Sequence, residues 1–289
     1  MSPSRAVLIT GVNSRSGLSS GTGRATALRL HRAGWPVYAT GRSTEGLQDL
    51  ADEGITTLRV DVTDEESMAA AVKRVTEEHG AVGVLVNNAA YSLNGTIGET
   101  PIDAVRAQFE TNFFGLSRMT QLVLPGMREQ RSGRIVMMSS IFGLFATPGR
   151  GYYQATKHAL EAISDSLRLE VAPAGIKVVV IEPSPILGSF VPTTVDDLAL
   201  DADSDLYADF WEQFVEWHGA YREVEHPKGR GRTSVRAGDV AAVVEKAITA
   251  ARPRIRYRIG TPVRLLRPQR AIFGDRAWEA FVSRFFPTP

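Results

Sequence analysis

Tyr153 and Lys157 stand four residues apart in the segment "YYQATK". On a helix that spacing puts both side chains on one face, one turn apart. A phenol beside an ammonium can hand a proton to an oxygen that is becoming an alkoxide, or take one back. To do so near neutral pH the phenol must fall from ~10 to about 7, which takes about 4 kcal/mol. A lysine charge at ~4 Å supplies about 4 kcal/mol at an effective dielectric of ~20. Burial of the phenolate opposes it. Tyr152 is the competing ring, but the residue four places after it is the uncharged Thr156. Taken alone, such a pair has a bland alternative: a surface Tyr and Lys that share a face by chance.

Ser140 ends the apolar run "RIVMMSS", thirteen residues before Tyr153. Its hydroxyl can donate to the same reacting oxygen and hold it in place. Ser139 is its competitor. Near the N-terminus, "ITGVNSRSGLSSGTGRATAL" reads as strand, Gly-rich turn and helix. The free N–H groups at a helix start, with glycines that let an anion approach, make a phosphate cradle. A Gly-rich loop alone is a weak signal, often only a turn.

These residues need a scaffold, and the chain supplies a regular one. Short β-branched runs at 6–10, 37–40, 58–60, 82–86, 134–138 and 177–181 alternate with helical stretches at 21–33, 63–79, 101–113, 116–128 and 152–171. Met68, Val72 and Val75 form an apolar stripe on the second of these helices. Thr63 and Glu66 suggest a capping box at its start. The strands lack period-two alternation, as expected of a parallel sheet covered on both faces. A single α/β, Rossmann-like doubly wound sheet is therefore predicted, with a C-terminal helical lid and extension. The expected division is a core over 5–190, a lid over 190–235 and an extension over 236–289.

Composition narrows the function. Of 289 residues, 43% are apolar and 22% charged, so the chain is not of the disordered type. A net charge of +1 gives no field for capturing nucleic acid. The absence of cysteine excludes disulfides, thiolate nucleophiles and Cys-ligated metals. The histidines lack metal-ligand spacing, and no metal is expected. No apolar run reaches the ~20 residues of a membrane span. The first residues do not read as a signal peptide, so the expected location is cytoplasmic.

The chain resembles the short-chain dehydrogenase/reductase family over roughly residues 5–190. The resemblance rests on Thr10-Gly11 with Gly21-Thr22-Gly23, Asp61, Asn87-Asn88-Ala89-Ala90, Asn112, Ser140, Tyr153 and Lys157. "PRIRYRIG" and the amphipathic helix after it are similar, more weakly, to the hydroxysteroid and retinol dehydrogenase-like branch. The resemblance implies a nicotinamide-dependent enzyme with Asn112, Ser140, Tyr153 and Lys157 as its catalytic set. It implies that Asn112 kinks its helix and that Lys157 also holds the nicotinamide ribose. It gives a cofactor-binding set of Gly11, Gly21, Thr22, Gly23, Asp61, Val62, Asn88, Ala89, Tyr153, Lys157, Pro183, Ser184 and Ile186. For Asn87 it leaves two roles open, one in the sheet and one beside the adenosine ribose. A homodimer or homotetramer is the implied assembly. The chain departs from the family in three places. Nine residues separate Gly11 from Gly21, six more than usual. The usual Asn-Asn-Ala-Gly ends in Ala90, and the usual Pro-Gly is Pro183-Ser184. The Thr expected nearby is Gly188, and Ser184 or Ser189 could replace it.

The carboxylate that would accept an NAD ribose hydroxyl should end the second strand. Gly41 stands there instead, followed by Arg42, whose guanidinium suits a 2′-phosphate. The expected cofactor is therefore NADP(H), with Arg15 in the inserted loop as a second charge. Between Phe190 and Tyr221 lie eight acidic residues, no Lys or Arg, and a series of aromatic rings. The expected substrate pocket joins Ser140 and Tyr153 to Phe210, Trp211 and Phe214, with that stretch as a lid. The matching expectation is an NADP(H)-dependent enzyme interconverting a large apolar ketone and its secondary alcohol. The alternatives are a non-redox cyclase, dehydratase or epimerase on the same scaffold, or a nucleotide-binding regulator.

Overall fold

The computed structural model describes residues 2–12, 21–186, 207–223, 234–261, 263 and 274–289. Seven strands form one parallel sheet: β1 (Val7–Ile9), β2 (Val37–Gly41), β3 (Thr56–Arg59), β4 (Val84–Asn87), β5 (Gly133–Met138), β6 (Ile176–Pro183) and β7 (Arg256–Ile259). Their order is β3-β2-β1-β4-β5-β6-β7. The order reverses between β1 and β4, which places the ligand crevice at their carboxyl ends.

The strands are apolar on both faces because both faces are covered. Val7 and Ile9 of β1, Val84 and Val86 of β4, and Val179 and Ile181 of β6 point to one side. There they meet α1 (Thr22–Arg32) through Ala27 and Leu30, and α8 (Ala237–Thr249) through Val240 and Val244. Leu8, Leu85, Ile135 and Val180 point to the other side. There they meet α3 (Glu65–His79), α5 (Leu116–Glu129) and α6 (Gly151–Val171) through Met68, Met119, Val123 and Leu160. The remaining helices are α2 (Gln48–Asp52), α4 (Ile102–Phe109), α7 (Ala208–Glu223) and α9 (Asp275–Phe285). None of the described helices is long and apolar enough to cross a membrane.

Two local expectations are corrected. The cap of α3 is Asp64, which accepts from the backbone N–H groups of Glu66 and Ser67, and not Thr63. Thr63 instead donates through both its N–H and its hydroxyl to Asp61. The seventh strand was hidden by its charge. In "RYRI" only Tyr257 and Ile259 face the core, while Arg256 and Arg258 face a carboxylate cluster. Charged side chains on an edge strand also discourage pairing with another sheet.

That cluster fastens β7 to β6 and α6. The fully buried Glu182 lies 3.1 Å from Arg256 and 2.8 Å from Arg258. Arg256 also reaches Glu161 at 3.0 Å and Asp165 at 2.8 Å. Burial pushes the Glu182 carboxyl up, and the neighbouring Glu161 pushes it further. The folded state thus holds this proton more tightly than the unfolded chain does. Stability falls as pH rises through the interval between the two affinities. Arg256→Met should cost about 3–5 kcal/mol, because it takes the arginine from the buried Glu161 and leaves Glu182 with Arg258 alone. It should also steepen that loss with pH, as read from denaturant midpoints at a series of pH values. Glu182→Gln in the Arg256→Met background should remove the added pH dependence.

Candidate active site

Ser140 follows β5 at its carboxyl end and caps a short turn, accepting from the Phe142 N–H at 3.2 Å. Tyr153 lies in the first turn of α6, and Lys157 lies one turn further on. Both are 3% exposed. The Ser140 hydroxyl lies near the Tyr153 phenol and acts to lower its proton affinity. The Lys157 ammonium stands 5.7 Å from the centre of the Tyr153 ring and donates to the Met138 carbonyl at 2.8 Å. The structure therefore brings the three together. The decoys are turned away: Tyr152 donates to the Ile97 carbonyl, and the Ser139 hydroxyl is buried with no hydrogen-bond partner.

The electrostatics differ from the expectation that Lys157 brings the phenol toward neutrality. Burial dominates and pushes Tyr153 up to about 12, against the Ser140 hydroxyl and the Arg150 charge. Lys157 is itself pushed down to about 8 by burial, against the pull of Glu161. Both groups are driven toward their neutral forms, because each has left water.

Asn112 lies in a π-helical turn, Glu110–Gly115, between α4 and α5. Such turns recur at functional sites. The Asn112 carboxamide accepts from the Tyr91 N–H at 2.9 Å and donates to the Tyr91 carbonyl at 2.7 Å. It also donates to Thr156, next to Lys157, at 3.2 Å. The Asn87 amide donates to Thr120 on α5 at 2.9 Å and lies against Met137 on β5.

Asn88 joins the two described ends of the glycine loop. The Asn88 amide donates to the Thr10 and Gly11 carbonyls at 2.9 and 3.0 Å. The Thr22 hydroxyl donates back to it at 3.0 Å. Thr10 accepts in turn from the Asn88 and Ala89 N–H groups. Gly11 has φ of +66°, and a Cβ there would lie 2.5 Å from the Ala89 backbone. Only glycine gives both the conformation and the approach. At the other end of the loop Gly21, with φ of +94°, begins α1. Glycines at close approach that lead into a helix N-terminus fit a pyrophosphate.

A family model described as short chain dehydrogenase matches residues 5–198. The chain belongs to the short-chain dehydrogenase family. Within this family of oxidoreductases it is 32% identical over 278 residues to the uncharacterized oxidoreductase YusZ of Bacillus subtilis, covering 93% of this chain and 95% of that protein. It is 32% identical over 263 residues to a 3-ketodihydrosphingosine reductase of Bacteroides thetaiotaomicron, covering 90% and 89% of the two chains. Among solved structures, a short-chain dehydrogenase from Streptomyces avermitilis superposes with a TM-score of 0.75 at 31% identity, over 99% of this chain and 97% of the other.

The other expected site residues of this short-chain dehydrogenase are placed as follows. Arg42 directly follows β2, exposed, and its charge reaches Tyr91. Asp61 and Val62 follow β3, with the Asp61 carboxylate bonded to Thr63. Pro183 ends β6. Ser184 is turned toward the C-terminal segment, where its hydroxyl accepts from the Val263 N–H at 3.4 Å and abuts Gly260. Ile186 bridges to Val235. Arg15, Gly188, Ser189 and the lid residues 190–206 lie outside the described residues. Phe210, Trp211 and Phe214 form a buried cluster with one another, and Phe210 and Phe214 reach Gly149.

Sequence reasoning missed the wall behind Tyr153. Phe142 and Phe145 pack with Trp278 and Val282 of α9 around its ring. It also missed Arg150, the residue that begins α6 and acts electrostatically on Tyr153. The available signal was its position three residues before Tyr153 on the same helix.

Asn88→Ala removes two donated bonds and one accepted bond in a buried position. It should destabilise the protein by about 1–3 kcal/mol in denaturant titrations. Asn88→Asp keeps the bond accepted from Thr22 but places two carbonyls against a carboxylate, and should be no better tolerated.

Proposed function

We propose that this chain is an NADP(H)-dependent reductase that interconverts a fairly large apolar ketone and its secondary alcohol. The observation that carries the reading is the half-buried Ser140 with the buried Tyr153 and Lys157, at the sheet edge where Asn88 bonds Thr10, Gly11 and Thr22. When bound, the nicotinamide supplies or accepts the hydride. Gly11, Gly21, Thr22 and Gly23 would hold the pyrophosphate with the start of α1. Asp61 and Val62 would border the adenine, and Asn88, Ala89, Pro183, Ser184 and Ile186 the nicotinamide side.

Each catalytic side chain has a task set by its surroundings. Ser140 fixes the substrate oxygen. Tyr153, with its phenol pushed up to about 12, is protonated near neutral pH and suited to donate to that oxygen. Lys157 orients the phenol and reaches toward the cofactor ribose, while Asn112 fixes the helix next to Thr156. Phe210, Trp211 and Phe214 supply an apolar wall for the substrate. The likeness to a 3-ketodihydrosphingosine reductase supports an apolar ketone as the substrate class.

Tyr153→Phe should lower turnover on a panel of apolar ketones by at least ~100-fold. NADPH affinity, read by fluorescence titration, should hardly change. Equal damage from Tyr152→Phe, or near-normal turnover in Tyr153→Phe, would overturn the assignment.

Arg42 tests the choice of cofactor. A charge-assisted hydrogen bond contributes about 1.5–3 kcal/mol. Arg42→Ala should weaken NADPH by that amount in calorimetric titration and leave NADH almost untouched. The argument from Gly41 and Arg42 fails if the unaltered protein binds NADH as tightly as NADPH.

A further inference from the structure

Helix α7 turns its rings inward and its charges outward. Phe210, Trp211 and Phe214 are buried, while Asp209, Glu212 and Glu216 are exposed. The inward face is seated on the segment between Ser140 and α6. A Cβ at Gly149 would stand 2.7 Å from the Phe214 ring and 3.1 Å from the Phe210 ring. The Arg150 guanidinium lies 5.3 Å from the centre of the Phe214 ring and 5.7 Å from that of Phe142. Phe142 in turn meets the Tyr153 ring edge-on at 6.4 Å. Further along α7, Trp217 meets Phe286 at 5.2 Å, and Phe286 meets Phe145 at 5.8 Å. Two aromatic routes thus join α7 to the wall behind Tyr153.

Trp211 carries an unmet polar group on this apolar face. Its indole Nε1 is buried and has no hydrogen-bond partner among the described residues. The ring lies 4.6 Å from Phe210 and 5.2 Å from Phe214 between centres. An indole N–H can only donate, and a buried donor left without an acceptor is costly. A buried tryptophan usually finds a partner for that reason. Water is a poor candidate, because a buried water needs about two to four polar partners. The described residues packed around the indole are Tyr207, Phe210, Phe214 and Val215, and of these only Tyr207 has a polar side-chain atom.

We propose that the Trp211 indole N–H is a second polar contact for the substrate, which therefore carries an uncharged oxygen acceptor, such as a hydroxyl, remote from its reacting carbonyl. This rests on the reading of α7 as one wall of the substrate pocket. An acceptor that arrives on a carbon skeleton satisfies the N–H and buries apolar surface against Phe210 and Phe214 at once. One neutral donor does not offset the burial of a carboxylate, so the acceptor is uncharged. Arg150, the buried cation of this region, is engaged by Asn94 at 3.0 Å and by the two rings. Phe214, Arg150 and Phe142 link Trp211 to Tyr153 in succession, so several carbons separate the acceptor from the carbonyl.

The test uses the complex with NADP+, in which a ketone binds but receives no hydride. Calorimetry compares methyl undecyl ketone with analogues that bear one hydroxyl moved stepwise along the chain. One member of the series should bind about 3–10-fold more tightly than the plain ketone, the usual effect of one hydrogen bond. Trp211→Phe keeps an aromatic ring and removes the donor. In that variant the difference between the two ketones should vanish, whatever becomes of either affinity. By NMR of isotope-labelled protein, the Trp211 indole signal, one of four, should move downfield with the preferred hydroxyketone and not with the plain ketone. Equal affinity across the series, or a preference that survives in Trp211→Phe, would overturn the proposal. If Trp211→Phe does not fold, the indole signal decides, assigned by replacing the other tryptophans one at a time. A signal that no member of the series moves overturns the proposal as well. None of these readings needs turnover. Protein that binds the series as expected but reduces no ketone would sink the proposed function and leave the Trp211 contact standing. Protein that reduces ketones without preferring a hydroxyl loses the Trp211 contact alone.

Discussion

Burying a phenol and an ammonium side by side is costly, and the site is organised around that cost. Water would keep the lysine charged and would solvate a phenolate; the interior does neither. Tyr153 and Lys157 are each driven toward neutrality. What remains is a pair whose protons move only with help from fixed neighbours. The Met138 carbonyl holds the ammonium, and the Ser140 hydroxyl meets the phenol. Both neighbours sit at the carboxyl end of β5, and the pair sits on the first turns of α6. The register of β5 against β6 and the packing of α6 on the sheet therefore set the geometry of Ser140, Tyr153 and Lys157.

Three amides do much of the remaining work. Asn87 ties β4 to α5, Asn88 ties β4 to the glycine loop, and Asn112 ties the segment after β4 to α6. Each is buried and makes two or more bonds, so each links elements that no continuous backbone ladder joins. All three lie at or near the carboxyl edge of the sheet, where the strand order reverses and the crevice opens. The π-helical turn at Asn112 belongs to the same device, because it aims the carboxamide back toward Tyr91 and Thr156.

The C-terminal part supplies cover rather than chemistry. Trp278 and Val282 of α9 close one side of Tyr153. Trp217 of α7 meets Phe286 at 5.2 Å, and Phe286 meets Phe145 at 5.8 Å. Ser184, in the position where the family carries glycine, bonds Val263 and draws this segment onto the end of β6. The result is an aromatic surround that keeps water from the phenol and makes the burial cost described above.

Much of this was written in the chain. Apolar strands alternating with amphipathic helices specify a doubly wound parallel sheet, because period and polarity act locally. Six of the seven strands could be placed that way. Helical spacing alone put Tyr153 and Lys157 on one face, and a glycine at position 11 was legible as a close approach. Tertiary structure decided what depends on partners distant in sequence. The seventh strand escaped notice because Arg256 and Arg258 look solvated until Glu161, Asp165 and Glu182 are brought opposite them. The depth of burial at Tyr153 could not be foreseen, since it comes from Phe142, Phe145 and Trp278, the last of which lies more than a hundred residues away. Arg150 shared a helix with Tyr153 in the sequence as well. Only folding enclosed it between Phe142 and Phe214, where removal from water strengthens the field of a charge that a solvated loop would have screened.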